Sequence, residues 1–214
     1  MKILDGLEQA DGGRILVGGR EVRIRSPLDA RRLGIGMVHQ HFRLIPEFTV
    51  AENIVLGSEP RRGGLVLDRE RAVARVREVS DRHGLPLDPT ALVSRLTVGE
   101  MQAVEIGKIL YREAQLLILD EPTSVLTEQQ VKRLFAALRR LSQSGKTIVL
   151  ITHKLAEVKA VADRVTVMRR GRVVAVRPAA DAYEKEIAHL MVGGALGRPL
   201  QRVPVPAGRF VLEL

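Results

Sequence analysis

Two adjacent carboxylates carry the first chemical signal in this sequence. Asp120 and Glu121 close the apolar run Leu116-Leu117-Ile118-Leu119, and Pro122 follows them. A short apolar run bounded by a turn signal reads as a buried strand of a parallel sheet. Such a strand delivers its last residues to the carboxyl edge of the sheet, where open α/β folds bind their ligands. An Asp at that edge can hold Mg²⁺ through water, and a Glu beside it can orient and polarise an attacking water. Acidic residues also end strands for plain turn reasons, so the pair alone leaves both readings open.

Three other places carry comparable signals. His153 follows the run Thr147 to Thr152. At the end of a neighbouring strand it faces the same edge and can reach a terminal phosphate; equally, it can be a helix N-terminal residue, since a helix is expected from Leu155. Leu96-Thr97-Val98-Gly99-Glu100 leads into a helix expected from Gly99 to about Arg112. The free N–H groups and positive dipole end of a helix N-terminus suit an anion such as a γ-phosphate, with the Thr97 hydroxyl as a further donor. The plainer reading makes Thr97 an ordinary N-cap. Gln40 closes an expected strand, Ile35 to His39, where an amide can touch both a metal ion and a water, or simply be a polar strand end.

These residues need a scaffold, and the sequence pattern supplies one. Ile15-Leu16-Val17 and Glu21-Val22-Arg23-Ile24 flank Gly18-Gly19 as a hairpin. Ser26-Pro27 opens a short helix through Arg32, and another helix is expected near Val50 to Leu56. Residues 58–66 read as a loop. Asp68 then caps a helix ending at His83-Gly84. Beyond the Gly99 helix, strand and helix alternate: Gln115 to Leu119, a Thr127-capped helix to Ser144, Thr147 to Thr152, and Leu155 to Ala162. That alternation predicts an α/β fold with a parallel sheet. A second hairpin is expected over Val165 to Val176 and a last helix over Asp181 to Met191. After Gly193-Gly194 the composition reads as a linker, ending on the strand-like Phe210 to Leu214.

Composition narrows the function classes. In a chain of 214 residues, 45% are apolar and 28% charged, ordinary for one globular domain with a sizeable insertion. Aromatics make up 3% with no Trp, which argues against a stacking platform for single-stranded nucleic acid. The absence of Cys excludes disulfides and thiolate metal sites. No apolar run approaches a membrane span, and the N-terminus lacks the layout of a secretory signal. The chain is therefore expected to be soluble and cytoplasmic. The formal charge of +9 is spread along several helices without a single basic arm, so nucleic acid is not expected as a partner.

Taken together and in order, Gln40, Leu96 to Gln102, Asp120-Glu121-Pro122-Thr123 and His153 resemble the ATP-binding cassette (ABC) ATPase family over residues 1 to about 193. Gln40 matches its Q-loop and Leu96-Thr97-Val98-Gly99-Glu100 its Leu-Ser-Gly-Gly-Gln signature. Leu116 to Glu121 match its Walker B strand, and Ile151-Thr152-His153-Lys154 its H-loop. The resemblance implies a P-loop NTPase-type parallel sheet core, residues 1–46 and 114–193, with an inserted α-helical subdomain at 47–113. It implies ATP and Mg²⁺ as cofactors, Glu121 as the group that polarises water, and His153 at the γ-phosphate. Asp120 and Gln40 would attend Mg²⁺, while Thr97, Val98, Gly99 and Glu100 would close over ATP held by a second cassette. Glu100 stands where the family usually has Gln. Met37 to Phe42, Phe48 to Ile54 and Glu121 to Thr127 are similar to importers of simple sugars and nucleosides, with Thr127 in place of the usual D-loop Asp. Such importers imply transmembrane permease subunits as partners, contacted through Gln40 to Gly57, a periplasmic or lipoprotein solute-binding protein reached indirectly, and a place on the cytoplasmic face of the membrane. Proteins of that subgroup carry two cassettes in tandem, which makes residues 194–214 a linker and the opening of a second one.

One expected element is not found within these residues. No G-x-x-x-x-G-K-[ST] occurs, and Gly145-Lys146-Thr147 leads into a strand rather than a helix. By the resemblance, Met1 to Leu4 would follow the Walker A Lys-Ser/Thr. Charge-assisted hydrogen bonds contribute roughly 1.5–3 kcal/mol each, so losing two weakens ATP binding on the order of 10³-fold. The 214 residues alone are thus expected not to hydrolyse ATP. Two other readings stay open: a soluble cassette ATPase acting on DNA or ribosomes, which the importer-like motifs argue against, and a non-catalytic pseudo-cassette that docks on or regulates a transporter.

Overall fold

A computed structural model describes residues 1–63 and 66–193. The linker and terminal strand expected over residues 194–214 lie outside these described residues. The chain divides into two compact units, Met1–His153 and Lys154–Leu214.

The first unit is built on a three-stranded parallel sheet of β3 (Ile35–Val38), β6 (Leu116–Asp120) and β7 (Thr147–Ile151). The strand β6 lies in the middle, with Val38 opposite Leu119 on one side and Asp120 opposite Ile151 on the other. Leu117, Ile118 and Leu119 are wholly buried, which is why the strand reads as a continuous apolar run rather than an alternation. The helix α5 (Glu128–Gln143) connects β6 to β7 and buries Leu134, Leu138 and Leu141. It starts on a capping box in which Thr127 and Gln130 satisfy each other's backbone N–H.

Ahead of the sheet, β1 (Ile15–Val17) and β2 (Arg20–Val22) pair across Gly18-Gly19, both at positive φ as the two-residue turn requires. The helix α1 (Pro27–Arg32) begins as expected, with Ser26 accepting from the Asp29 N–H.

Between β3 and β6 the chain is mostly helical: α2 (Val50–Val55), α3 (Arg69–His83) and α4 (Val98–Tyr111). They share a core of Val50, Ala51, Ile54, Val55, Ala72, Val76, Val93 and Val104. Two details differ from the sequence expectation. Residues 58–66 are not only loop, because β4 (Arg61–Arg62) pairs with β5 (Val66–Leu67), and Asp68 donates its N–H to the Pro60 carbonyl to close the excursion. Strand β3 ends at Val38, so Gln40 stands two residues beyond it rather than at its last position.

Helix α4 also lies against β3. A Cβ on Gly36 would fall 2.8 Å from Ile109 Cβ and 3.2 Å from Ala114 Cβ, so this strand position admits only Gly at the observed spacing.

The second unit holds α6 (Leu155–Val161), the antiparallel hairpin β8 (Arg164–Arg169) with β9 (Arg172–Pro178), and α7 (Glu184–Val192). Val167, Ala182 and Ile187 form its small core. Its last helix starts at Glu184 rather than Asp181, since Ala179–Asp181 is a separate 3₁₀ turn and Tyr183 offers no side-chain cap.

The packing gives a direct stability test. Gly36→Val forces a branched side chain into Ile109 and is expected to cost about 1–3 kcal/mol. Ile54→Ala empties a fully buried site and is expected to cost about 2–5 kcal/mol. Leu16→Ala, on the exposed side of β1, is expected to change little. Denaturant midpoints of the three variants measure this ranking.

Candidate functional site

The register of the sheet brings Gln40, Asp120, Glu121 and His153 to one edge. Because Val38, Leu119 and the residues of β7 run parallel in adjacent strands, the residues just past each strand end emerge side by side. Glu121 is the hub. Its Oε2 accepts from Gln40 Nε2 at 3.4 Å, and its Oε1 lies 3.0 Å from His153 Nδ1. One carboxylate is thereby held from both flanking strands, over sequence separations of 81 and 32 residues.

The backbone aims that carboxylate. Glu121 has φ 46°, in the left-handed region that costs a non-Gly residue roughly 1–2 kcal/mol. Its N–H still donates to the Ile151 carbonyl at 2.9 Å, one step beyond the last ladder pair, so the neighbouring strand holds the turn in place. Thr123 is buried just after it, and the Ser124 N–H returns to the Glu121 carbonyl at 3.2 Å.

The segment Thr97-Val98-Gly99-Glu100 forms the N-terminus of α4 and bonds to itself. The Thr97 N–H and hydroxyl both donate to Glu100 Oε2 at 2.8 Å, and the Glu100 N–H returns to Thr97 Oγ1 at 3.4 Å. This is the N-cap reading of Thr97, with Glu100 as its reciprocal partner. The Thr97 N–H, and then its hydroxyl, hold the Glu100 carboxyl below its usual value. The negative charge of Glu100 is thus committed to the cap. Among the described residues, no hydrogen bond joins Thr97 or Glu100 to Gln40, Glu121 or His153. The structure therefore presents two groups, a strand-edge cluster and a helix cap.

Several residues that the sequence did not single out support these groups. Gln130, the partner of Thr127, lies against the start of α4: a Cβ on Gly99 would fall 2.9 Å from Gln130 Nε2. Thr127-x-x-Gln130 has the spacing of a capping box, so that signal was readable. The loop after Gln40 is fixed by buried polar side chains. Glu105 accepts from the Arg43 N–H at 2.7 Å, while Lys108 Nζ donates to the Arg43 carbonyl at 2.8 Å. Asn53 accepts from the Ile45 N–H at 2.8 Å and donates to the Ile45 and Thr49 carbonyls. Nothing in the local pattern distinguishes these three from surface residues, because their partners are backbone groups of a distant loop.

The donors at the edge suit a hard cation. Asp120 and the Gln40 amide offer oxygen, the ligand type that Mg²⁺ takes alongside water and phosphate. Among the described residues, no three His, Asp or Glu side chains gather as a complete metal cage. Lys146 does not form part of a phosphate cradle, since it precedes β7 and its Nζ donates to Gln115 Oε1 at 3.2 Å.

Comparison with known proteins is consistent with this layout. A family profile described as ABC transporter matches residues 1–124. The chain is 45% identical over all its 214 residues to a nucleoside import ATP-binding protein of Lactococcus lactis subsp. cremoris, of which it covers 42%. It is 46% identical, again over its whole length, to a ribose import ATP-binding protein of Rubrobacter xylanophilus, also covering 42%. The chain thus spans about two fifths of the length of these relatives. Among solved structures, a nucleotide-free ATP-binding cassette from an ABC transporter matches with a TM-score of 0.74 at 22% identity, over 91% of this chain and 78% of that one. CbiO1 of Clostridium perfringens, part of an ABC transporter complex, matches with a TM-score of 0.71 at 26% identity, over 87% and 74% of the two chains.

The helix cap makes its own prediction. Thr97→Ala is expected to cost about 1 kcal/mol of stability, while Glu100→Gln keeps an acceptor for the Thr97 N–H and costs less. Because folding lowers the Glu100 carboxyl below 4.5, the ionised cap adds stability above that pH and loses it as the pH falls through the folded value. The stability gap between the wild type and Glu100→Ala should therefore be full at neutral pH and shrink in acid. Denaturation curves across that range measure it.

Proposed function

The chain belongs to the ABC transporter family, and we propose that it forms most of one ATP-binding cassette of an importer for simple sugars or nucleosides. The carrying observation is the Gln40–Glu121–His153 contact at the carboxyl edge of the parallel sheet. The printed names of the relatives, which include a guanosine import ATP-binding protein of Bacillus subtilis, support the solute class. In this reading, residues 47–113 are the helical subdomain and residues 1–46 and 114–193 belong to the ATPase core.

The chemistry would be transfer of a phosphoryl group to water. Glu121, fixed by its left-handed backbone and by two side-chain contacts, orients and polarises the attacking water. His153 holds one carboxylate oxygen through Nδ1, which leaves Nε2 for the terminal phosphate. Gln40 donates to the other oxygen through Nε2, and its amide oxygen, with Asp120, would be a ligand for the cation. Bound Mg²⁺ would neutralise charge on the β- and γ-phosphates. At the start of α4, Thr97 and Glu100 hold the cap, and the segment Thr97 to Glu100 would meet nucleotide on a second cassette through the backbone N–H groups of Val98 and Gly99. Membrane permease subunits would be the partners through which hydrolysis drives transport. Among the described residues no helix is long and apolar enough to cross a membrane, so the spanning segments of such a transporter would lie in those subunits.

A second reading is a non-catalytic pseudo-cassette. One observation favours it: the 214 residues contain no G-x-x-x-x-G-K-[ST], so the phosphate cradle is not among them. The same experiment separates the two. The 214-residue polypeptide is expected to hydrolyse ATP no faster than its Glu121→Gln variant. Fusing upstream a strand and glycine-rich loop ending in Gly-Lys-Ser is expected to restore steady-state hydrolysis, and Glu121→Gln in that longer form to lower it by about 10²–10⁴-fold. A longer form that binds ATP yet remains inactive would favour the pseudo-cassette.

A further inference from the structure

The turn of the β8–β9 hairpin gathers cations that no carboxylate balances. Arg169, Arg170 and Arg172 border a cavity of about 270 Å³ with Val174, Val192 and Gly193, wholly within the second unit. Arg169 and Arg172 stand directly opposite each other across the ladder, where like charges destabilise a hairpin. Arg170 takes φ 50° ahead of Gly171 at 75°, a place where tight hairpins favour Asn, Asp or Gly. Both features oppose folding, and among the described residues no ion pair to these three guanidinium groups offsets them. The carboxylates of α7 are used elsewhere, Glu184 at 3.8 Å from Lys159 and Glu186 at 3.9 Å from Arg177.

One of the three cations is anchored. Arg169 donates from Nη1 to the Leu190 carbonyl at 3.2 Å, at the negative end of α7. It lies so close over Gly193 that a Cβ there would collide with Nη1. The end of α7 therefore holds the Arg169 guanidinium at the cavity wall. Arg170 and Arg172 are exposed, and among the described residues their side chains make no hydrogen bond.

Charge and size narrow what the cavity can take. Lys154 to Leu214 hold 11 Lys and Arg against 6 Asp and Glu, so an anion is attracted before it touches the turn. The cavity is smaller than the roughly 300 Å³ at which pockets for drug-sized ligands begin, which suits one small anionic group. Three guanidinium forks outnumber the two oxygens of a carboxylate and match the three free oxygens of a terminal phosphoryl group.

We propose that the Arg169-Arg170-Gly171-Arg172 turn is a binding site for a phosphoryl group, carried by a free phosphate compound or by a lipid headgroup. Arg169, fixed on α7, gives the site its position, and Arg170 and Arg172 close on the anion from the turn. The site uses none of the residues of the strand-edge cluster and holds whether or not the chain belongs to an active ATPase.

The test uses the full 214-residue chain without Mg²⁺, titrated with inorganic pyrophosphate and, at matched ionic strength, with citrate, while the amide NMR signals of Gly171 and Arg172 are followed. Pyrophosphate is expected to shift both signals along one saturable curve and to bind about tenfold tighter than citrate. Arg172→Gln is expected to weaken pyrophosphate about tenfold. Arg170→Gly is expected to weaken it similarly without lowering the thermal midpoint, because it removes the left-handed strain and one like charge; a residue kept only for the turn would not show that split. A parallel arm sediments the chain with vesicles of phosphatidylcholine and phosphatidic acid. Sedimentation lost in the Arg variants assigns the phosphoryl group to lipid; no sedimentation, with pyrophosphate binding intact, assigns it to a soluble compound, and both uphold the site. Unmoved signals in pyrophosphate with no Arg-dependent sedimentation, citrate binding as tightly as pyrophosphate, or Arg variants that bind like the wild type each overturn it.

Discussion

The burial of β6 is the constraint on which the first unit depends. A strand with hydrogen-bonded neighbours on both sides and apolar side chains on both faces has no freedom to slip. A one-residue shift would carry Asp120 into the core beside Leu119, where an unpaired carboxylate is costly. The register is therefore fixed by hydrophobic burial, and the register alone decides that Asp120 and Glu121 emerge between the ends of β3 and β7. The left-handed turn at Glu121 follows from the same geometry. The chain must leave a buried strand while its N–H still bonds to Ile151, and it reaches α5 through the buried Thr123. The strain at that residue is balanced by the ladder beside it and the contacts from Gln40 and His153.

Away from the sheet, polar side chains take over the task of fixing backbone. The loop Arg43–Thr49 pairs its backbone with Leu92 to Ser94 through a single bridge and two further bonds, and Glu105, Lys108 and Asn53 bond its other N–H and carbonyl groups from α4 and α2. An Arg43 held at both N–H and carbonyl by one helix moves with that helix. Since Gln40 is three residues earlier and Thr97 opens the same helix, α4 links the loop after Gln40 to the helix cap. Buried polar contacts of this kind contribute modestly to net stability but leave the backbone few alternatives.

The fold was legible in the sequence wherever periodicity or cap chemistry spoke locally. The run Leu116 to Asp120, the Ser26-Pro27 start, the Gly84 stop and the alternation from β6 onward all carry their reason within a few residues. The small β4–β5 ladder was not legible, because Arg-rich turn sequence shows neither alternation nor an apolar face. The strand-edge cluster was legible only as three separate weak signals joined by resemblance; Gln40 and His153 meeting the same carboxylate is a product of strand order, which no single stretch encodes. Glu105, Lys108 and Asn53 went unseen for a further reason: their partners are main-chain groups, which have no sequence signature.

Two of the positions that depart from the family pattern in sequence, Glu100 and Thr127, have the same physical explanation. Each belongs to a capping box, Glu100 as the acceptor returned to Thr97 and Thr127 as the hydroxyl returned to Gln130. A Glu at the third position of a helix can close such a box as well as Gln does, and its charge is favourable at the positive end of the helix dipole. Thr serves as an N-cap much as Asp does, so Thr127 keeps the start of α5 in place without a charge. The boxes also meet in space: Gln130, ordered by Thr127, lies against Gly99 in the first turn that Thr97 and Glu100 cap. Two substitutions that look independent along the chain thus act on one contact between the first turns of α4 and α5.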